Sequence, residues 1–288
     1  MNLRLRRRIL VRLLSLTVLG IPGSFLRAQT AQVIDVNEAR PLWYAMDALE
    51  DIVHSPVNYE DPPYQNMADL VDYSTPEQRA AKPGYQLLGP PQAQLTLGFQ
   101  TPASGLLSEG DIISEVTALL VGYRQQKLPG DFQVEQANGM IYVTPTQVLG
   151  ADGTVHAVVS PLTTLVTIPS ASRSMAGTVQ AILDAVSKAT GLQIVLGVNH
   201  FWPTQMVTFG ASGVEARDAL ATLFAQTSLS LSYRLIFDPI PDKMRTLDYT
   251  LNLRPVGSVT PGVLTGPPAV TVGPSGTGPG VSNRKTGQ

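Results

Sequence analysis

Cysteine is absent from all 288 residues of this chain. That excludes disulfide staples, thiolate nucleophiles and cysteine metal sites. Histidine is nearly absent. The three present, His54, His156 and His200, lie far apart and match no metal-ligand spacing such as H-E-x-x-H. Charged residues make up 15% of the chain, below the usual quarter. No G-x-S-x-G elbow occurs. The glycines near the C-terminus are followed by no helical pattern, so they form no phosphate cradle. No apolar run reaches the roughly 20 residues that a spanning helix needs.

Hydrophobic residues are 43%, enough for a substantial core. Met1 to Ala31 reads as a secretory signal. Arg4, Arg6, Arg7, Arg8 and Arg12 form a positive start, Leu13 to Ile21 a short apolar core, and Pro22-Gly23 break it. The expected location is therefore exported, in the periplasm or at the outer membrane. Removing the six arginines of this segment takes Lys+Arg from 20 to 14 against 22 Asp+Glu, a mature charge of about −8. An acidic chain argues against nucleic acid and against electrostatic docking to anionic lipid.

Apolar spacing then marks out two similar passes. In the first, Gln32 to Val36 alternates as a strand. Asn37 is a candidate N-cap before Pro41, and Leu42, Ala45, Met46, Leu49, Ile52 and Val53 recur at helical spacing. His54-Ser55-Pro56 ends that helix, and Val57 to Tyr59 is a short strand. After residues 60–92, Leu95, Leu97 and Phe99 alternate. Ser108 and Asp111 read as a capping box. Ile112, Val116, Leu119, Leu120 and Tyr123 form the next helical stripe, and Asn138-Gly139 a hairpin turn.

The second pass starts with a strand at Leu165 to Ile168. Ser170 to Ser174 leads into a helix carrying Val179, Ile182, Leu183 and Val186, with Gly191 as its stop. Ile194 to Leu196 and Met206 to Phe209 are strands. Ser212 and Glu215 read as a second capping box, before Ala216, Ala219, Leu220, Leu223 and Phe224. Leu229 to Phe237 and Leu247 to Leu253 close the pass. Leu49 to Tyr59 aligns with Val186 to Leu196 without a gap, which points to an internal repeat.

The expected fold is α+β, with two small βαββαβ(β) modules in tandem. The expected layout is a signal over 1–31, a first module over 32–148 and a linker or edge strand over 149–161. A second module follows over 162–255. Residues 256–288, rich in Gly, Pro, Ser and Thr, are expected to be a disordered tail.

Ile182-Leu183-Asp184-Ala185-Val186, Thr190-Gly191-Leu192-Gln193-Ile194-Val195, the strand at Val207, Arg217-Asp218-Ala219-Leu220, Leu223-Phe224 and Tyr233 resemble the short N-terminal domain shared by secretins and TonB-dependent receptors. The first pass is similar through Ala39 to Leu42, Ala48 to Glu50 and Asn58-Tyr59. The resemblance covers Val33 to Thr144 and Leu162 to Pro255. It implies small periplasmic modules that dock onto partner proteins or onto each other. No secretin pore region and no alternating-strand barrel follows them, so only the role of the module carries over.

Few residues suggest chemistry. Residues 60–92 form a proline-rich insertion with Glu60, Asp61, Asp69 and Asp72 among its acids and Tyr64, Tyr73 and Tyr85 among its aromatics. The acids could serve a glycan-active hydrolase, which needs two carboxylates about 5–9.5 Å apart in one cleft. They could instead hold calcium, although their spacing fits no EF-hand, or simply be solvated. The aromatics suggest a contact surface. The expected partner-binding residues are Tyr59, Tyr64, Tyr73, His200, Phe201 and Trp202, the last three in a loop between strands. No catalytic residue, metal ligand, cofactor or small-molecule ligand is expected. The expected function is non-enzymatic, either protein binding or self-association in the cell envelope. A subunit of an envelope secretion or transport machine is the alternative, and the hydrolase a second one.

Overall fold

The computed structural model describes residues 29–102, 106–197, 205–239 and 248–257. Most of the expected signal, the expected tail from residue 258, and His200, Phe201 and Trp202 lie outside them.

The first half opens with β1 (Gln29–Glu38), α1 (Pro41–Val53) and β2 (Val57–Glu60). The insertion carries β3 (Val71–Asp72), α2 (Pro76–Ala81) and β4 (Leu88–Gly89). Then come β5 (Ala93–Pro102), α3 (Glu109–Gln125), β6 (Asp131–Ala137), β7 (Met140–Leu149) and β8 (Val155–Ala157). The second half is β9 (Leu165–Ser174), α4 (Met175–Thr190), β10 (Ile194–Leu196), β11 (Met206–Glu215), α5 (Ala216–Phe224), β12 (Leu231–Phe237) and β13 (Tyr249–Pro255). The fold is α+β.

The local signals explain most of these elements. In β5, Leu95, Leu97 and Phe99 are buried and their neighbours exposed, the period of a half-buried strand. In α3, Ile112, Val116, Leu119, Leu120 and Tyr123 make the buried stripe. The Ser108–Asp111 capping box closes in both directions. His54 ends α1 in the left-handed region, its N–H donating to Glu50 O at 2.8 Å. Asn138 and Gly139 both have positive φ, 52° and 71°, as a two-residue hairpin between β6 and β7 requires.

Three expectations need correction. Asn37 lies inside β1, and the residue capping α1 is Arg40, with no side-chain cap and Pro41 in the first turn. The strand expected at Leu165 to Ile168 runs on to Ser174, because β9 pairs with β11 that far, and Ser174 is then the N-cap of α4. Ser212 belongs to β11, where it faces Thr167 across the ladder. The residue before α5 is Glu215, which makes no side-chain cap.

The strand pairing is the same in both halves. β1 pairs antiparallel with β5, and β9 with β11, each as a two-stranded ribbon. β2 runs parallel to β7, which is antiparallel to β6; β10 runs parallel to β13, which is antiparallel to β12. The two three-stranded sheets then join. β12 pairs in parallel with β2, giving the order β10-β13-β12-β2-β7-β6, with β8 beside β7.

Successive strand residues point to opposite faces, and this sorts the helices. Ile141 and Val143 of β7 enter a core with α1 and α3, whereas Tyr142 between them enters the other core, with α4 and α5. On β12, Leu231, Tyr233 and Leu235 face the α4–α5 core, and Arg234 faces α1. One continuous sheet therefore carries the helices of the first half on one face and those of the second half on the other. With β2 parallel to β12, β10 runs opposite to β2. The halves are related by a half-turn about an axis across the sheet plus a shift of three strands.

Candidate functional site: the seam and the ends of the sheet

The seam between β2 and β12 is built on buried charge. Arg234, 2% exposed, donates from Nη2 to Asp47 Oδ1 at 2.7 Å and to Glu50 Oε2 at 2.8 Å. Its Nη1 donates to the carbonyl of Val57 at 2.8 Å. Arg254 of β13 donates to Glu50 Oε2 at 3.0 Å and pairs with Asp51. Glu50 Oε1 accepts the Val57 N–H at 2.7 Å. A buried charge is tolerated only when paired and hydrogen-bonded, and here each side chain has several partners. Burial pushes the Glu50 carboxyl up, while Arg234 and Arg254 oppose that shift. Asn58 finishes the seam: its Oδ1 accepts the Tyr233 N–H at 2.9 Å, and its Nδ2 donates to Ile141 O at 3.2 Å.

The start of the insertion is pinned to the same seam. Asp61 accepts from Arg40 Nε at 2.7 Å, Tyr59 Oη at 2.8 Å and the Phe237 N–H at 3.1 Å. Glu60 points into the other half, accepting from Tyr233 Oη at 2.6 Å. Its Oε2 makes no hydrogen bond among the described residues. Burial raises its pKa, opposed by the neighbouring Ser160, Tyr233 and Arg217.

A groove of about 500 Å³ lies over β6. Gln133, Glu135, Thr144, Ser160, Arg217 and Asp218 line it. Arg217, 7% exposed, pairs with Glu135 and lies over the Tyr142 ring. Asn138 Nδ2 donates to Asp218 Oδ1 at 2.6 Å. The groove therefore runs between the first half's hairpin and the start of α5.

The expected site residues are scattered. Tyr59, 1% exposed, stacks with Phe132 at 5.8 Å, and Tyr64, 3% exposed, packs against Phe237 at 6.4 Å. These two rings are core: Tyr59 lies on β2 at the seam itself, and Tyr64 is buried where the start of the insertion folds back onto it. Tyr73 is half-buried, its hydroxyl donating to Pro90 O at 2.9 Å within the insertion. Glu60 and Asp61 are both buried but take part in separate clusters. Asp72 and Asp69 are half-buried, and Asp72 caps a local turn through Ser74 N–H. No group of three or more His, Asp or Glu side chains with metal-site geometry occurs among the described residues. His54 and His156 are both exposed, the latter 3.0 Å from Asp152.

The residues the sequence did not single out are Glu50, Arg234, Gln133 and Val195. Their positions follow from the repeat. Glu50 aligns with Ser187, Asn58 with Val195 and Tyr59 with Leu196 in the gap-free match. The ladders extend the match: Val134 faces Val143 as Leu235 faces Leu251, so Gln133 stands where Arg234 does. Counting along β7 and β13 in the same way, Thr146 stands where Arg254 does. The β6 and β10 edges of the sheet are thus equivalent to the β12 and β2 edges that meet at the seam. The ionic lock is confined to the seam.

No protein-family model, curated protein or solved structure matches the chain.

Proposed function

We propose that this chain is an exported, non-enzymatic protein-binding or assembly module of the bacterial cell envelope. The observation that carries the reading is the repeat itself. Among the described residues, two copies of one small unit join edge to edge and leave at each end a strand edge equivalent to one that is paired at the seam. An open edge offers backbone donors and acceptors to another strand, and strand addition is a general mode of protein recognition. The signal-like pattern of residues 1–31 and the resemblance to envelope docking modules support a location outside the cytoplasm for that binding. The groove beside β6 supplies side-chain contacts next to the edge, with both charge signs from Glu135, Arg217 and Asp218.

Fractionation of cells expressing the full chain, followed by chemical crosslinking of intact envelopes and affinity purification, tests this. The expected result is a chain in the envelope fraction within one defined crosslinked complex. A chain that stays in the cytoplasm, or is recovered from the envelope only as uncrosslinked monomer, contradicts the reading.

A further inference from the structure

The two ends of the sheet are complementary to each other, because the seam already joins their equivalents. At the seam, α1 lies across β12 and β13, over Arg234 and Arg254. Carried to β6 and β7 by the repeat, that berth falls over Gln133 and Thr146, where the groove of about 500 Å³ lies. The element equivalent to α1 is α4, and the edge equivalent to β2 is β10. Both sit together at the opposite end of the same molecule.

Exposure follows the same rule. Asn58 is 0% exposed at the seam, and its equivalent Val195 is 38% exposed. Arg234 is buried and Gln133 is exposed; Asp47 is half-buried and its equivalent Asp184 is exposed. Every one of these pairs is more covered at the seam than at the free end. Nor is the β10 edge blunted by charge, since Ile194, Val195 and Leu196 are all apolar. Ser187 Oγ accepts the Ile194 N–H at 3.1 Å. Glu50 accepts the Val57 N–H in the same way at the seam, where β2 still pairs with β12. That cap is therefore compatible with strand pairing. The Leu196 N–H reaches Gln180 Oε1 at 3.4 Å, a long contact that pairing would replace.

We propose that the chain associates with a second copy of itself head to tail. The Ile194–Gly197 edge of one copy runs parallel to β6 of the next, with Leu196 opposite Gln133 as Tyr59 is opposite Arg234. Helix α4 of the first copy lies in the groove over β6. The contact is heterologous, and a half-turn with a shift does not close, so it propagates as an open chain. Gln133, Thr146 and Ser187 replace the charged residues of the seam, so the contact is weaker than the seam and reversible. The proposal rests on the reading of the chain as an assembly module and names its partner as itself.

Sedimentation of the purified chain from about 1 μM to about 100 μM reads the association. Single-cysteine variants Gln133→Cys and Asp184→Cys, unique in a cysteine-free chain and placed where Arg234 and Asp47 touch at the seam, read its geometry with a short bis-maleimide. The expected result is a mass that rises with concentration, and crosslinked dimers when the two variants are mixed but not when either is alone. Gln133→Arg with Ser187→Glu rebuilds the seam's ion pair across the contact and is expected to tighten association about tenfold. A wild-type chain and a folded Gln133→Arg/Ser187→Glu variant that both stay monomeric throughout overturn the proposal. So does crosslinking of either single variant to itself. A monomer that still forms a complex with a different envelope protein would overturn self-association alone and leave the module reading standing.

Discussion

Arg234 on β12 and Glu50 on α1, 184 residues apart, form an ion pair of 2.8 Å with side chains 2% and 1% exposed. The pair joins the two halves from the inside. Removing one partner leaves the other charged, buried and short of hydrogen bonds. Glu50→Ala or Arg234→Ala is therefore expected to cost about 3–5 kcal/mol in urea unfolding. The double variant should cost less than the sum, with a coupling energy of about 2 kcal/mol. Strict additivity would mean that the pair is not a contact in solution.

The same reasoning applies where the insertion begins. Asp61 receives Arg40, Tyr59 and the Phe237 N–H. Asp61→Asn keeps the shape and removes the charge that holds Arg40. A loss of about 3 kcal/mol is expected in urea unfolding. Amide exchange should also quicken at Phe237 and at Asp61 itself, whose N–H donates to Leu235 O across the seam at 2.8 Å. Unchanged exchange at both amides would contradict this account of the seam.

Glu60 gives stability a pH dependence of known sign. Burial raises its pKa in the folded chain above the ordinary value of 4.5. Below that value both states hold the proton, and the group contributes nothing to the dependence. As pH rises past it, the unfolded chain releases the proton while the folded chain keeps it, so stability falls until the folded pKa is passed. Glu60→Gln removes this fall. Unfolding at about pH 5 and about pH 8 should show the variant gaining on the wild type at the higher pH. Parallel behaviour of the two proteins would sink the assignment.

The ribbon of the second half depends on a glycine. A Cβ on Gly210 would lie 2.8 Å from Ser170 Cα and 2.9 Å from Ser170 N, both backbone atoms. Gly210→Ala is expected to cost about 1–3 kcal/mol. Gly98 in the first ribbon has open space at its Cβ position, so Gly98→Ala should be close to neutral. Equal effects on the melting temperature would remove the distinction.

The four helical stripes, the hairpin at Asn138-Gly139 and the capping box at Ser108 were legible in the chain because each is a local pattern. The ribbons are longer than the alternation suggested, since polar positions such as Ser172 and Ser174 pair through backbone alone. Ser212 misled for the same reason: a serine three residues before an acid looks like a cap, but the ladder to β9 runs past it. The burial of Tyr59 and Tyr64 is not legible locally because it is decided by distant partners, Phe132 for Tyr59 and Phe237 for Tyr64. Nothing local marks Glu50 and Arg234 as partners. Their role becomes readable only when the repeat shows Ser187 and Gln133 in the same positions at the free ends.

The central claim is that the open ends of a two-copy sheet are the working surfaces. A photoreactive amino acid at Gln133, compared with one at Arg79 on the insertion, tests it most directly in living cells. Both positions are exposed. The account predicts a discrete crosslinked protein of the envelope, a second copy of the chain included, from Gln133 and none from Arg79. Equal labelling from both positions, or none from Gln133 in an exported and folded chain, would contradict it.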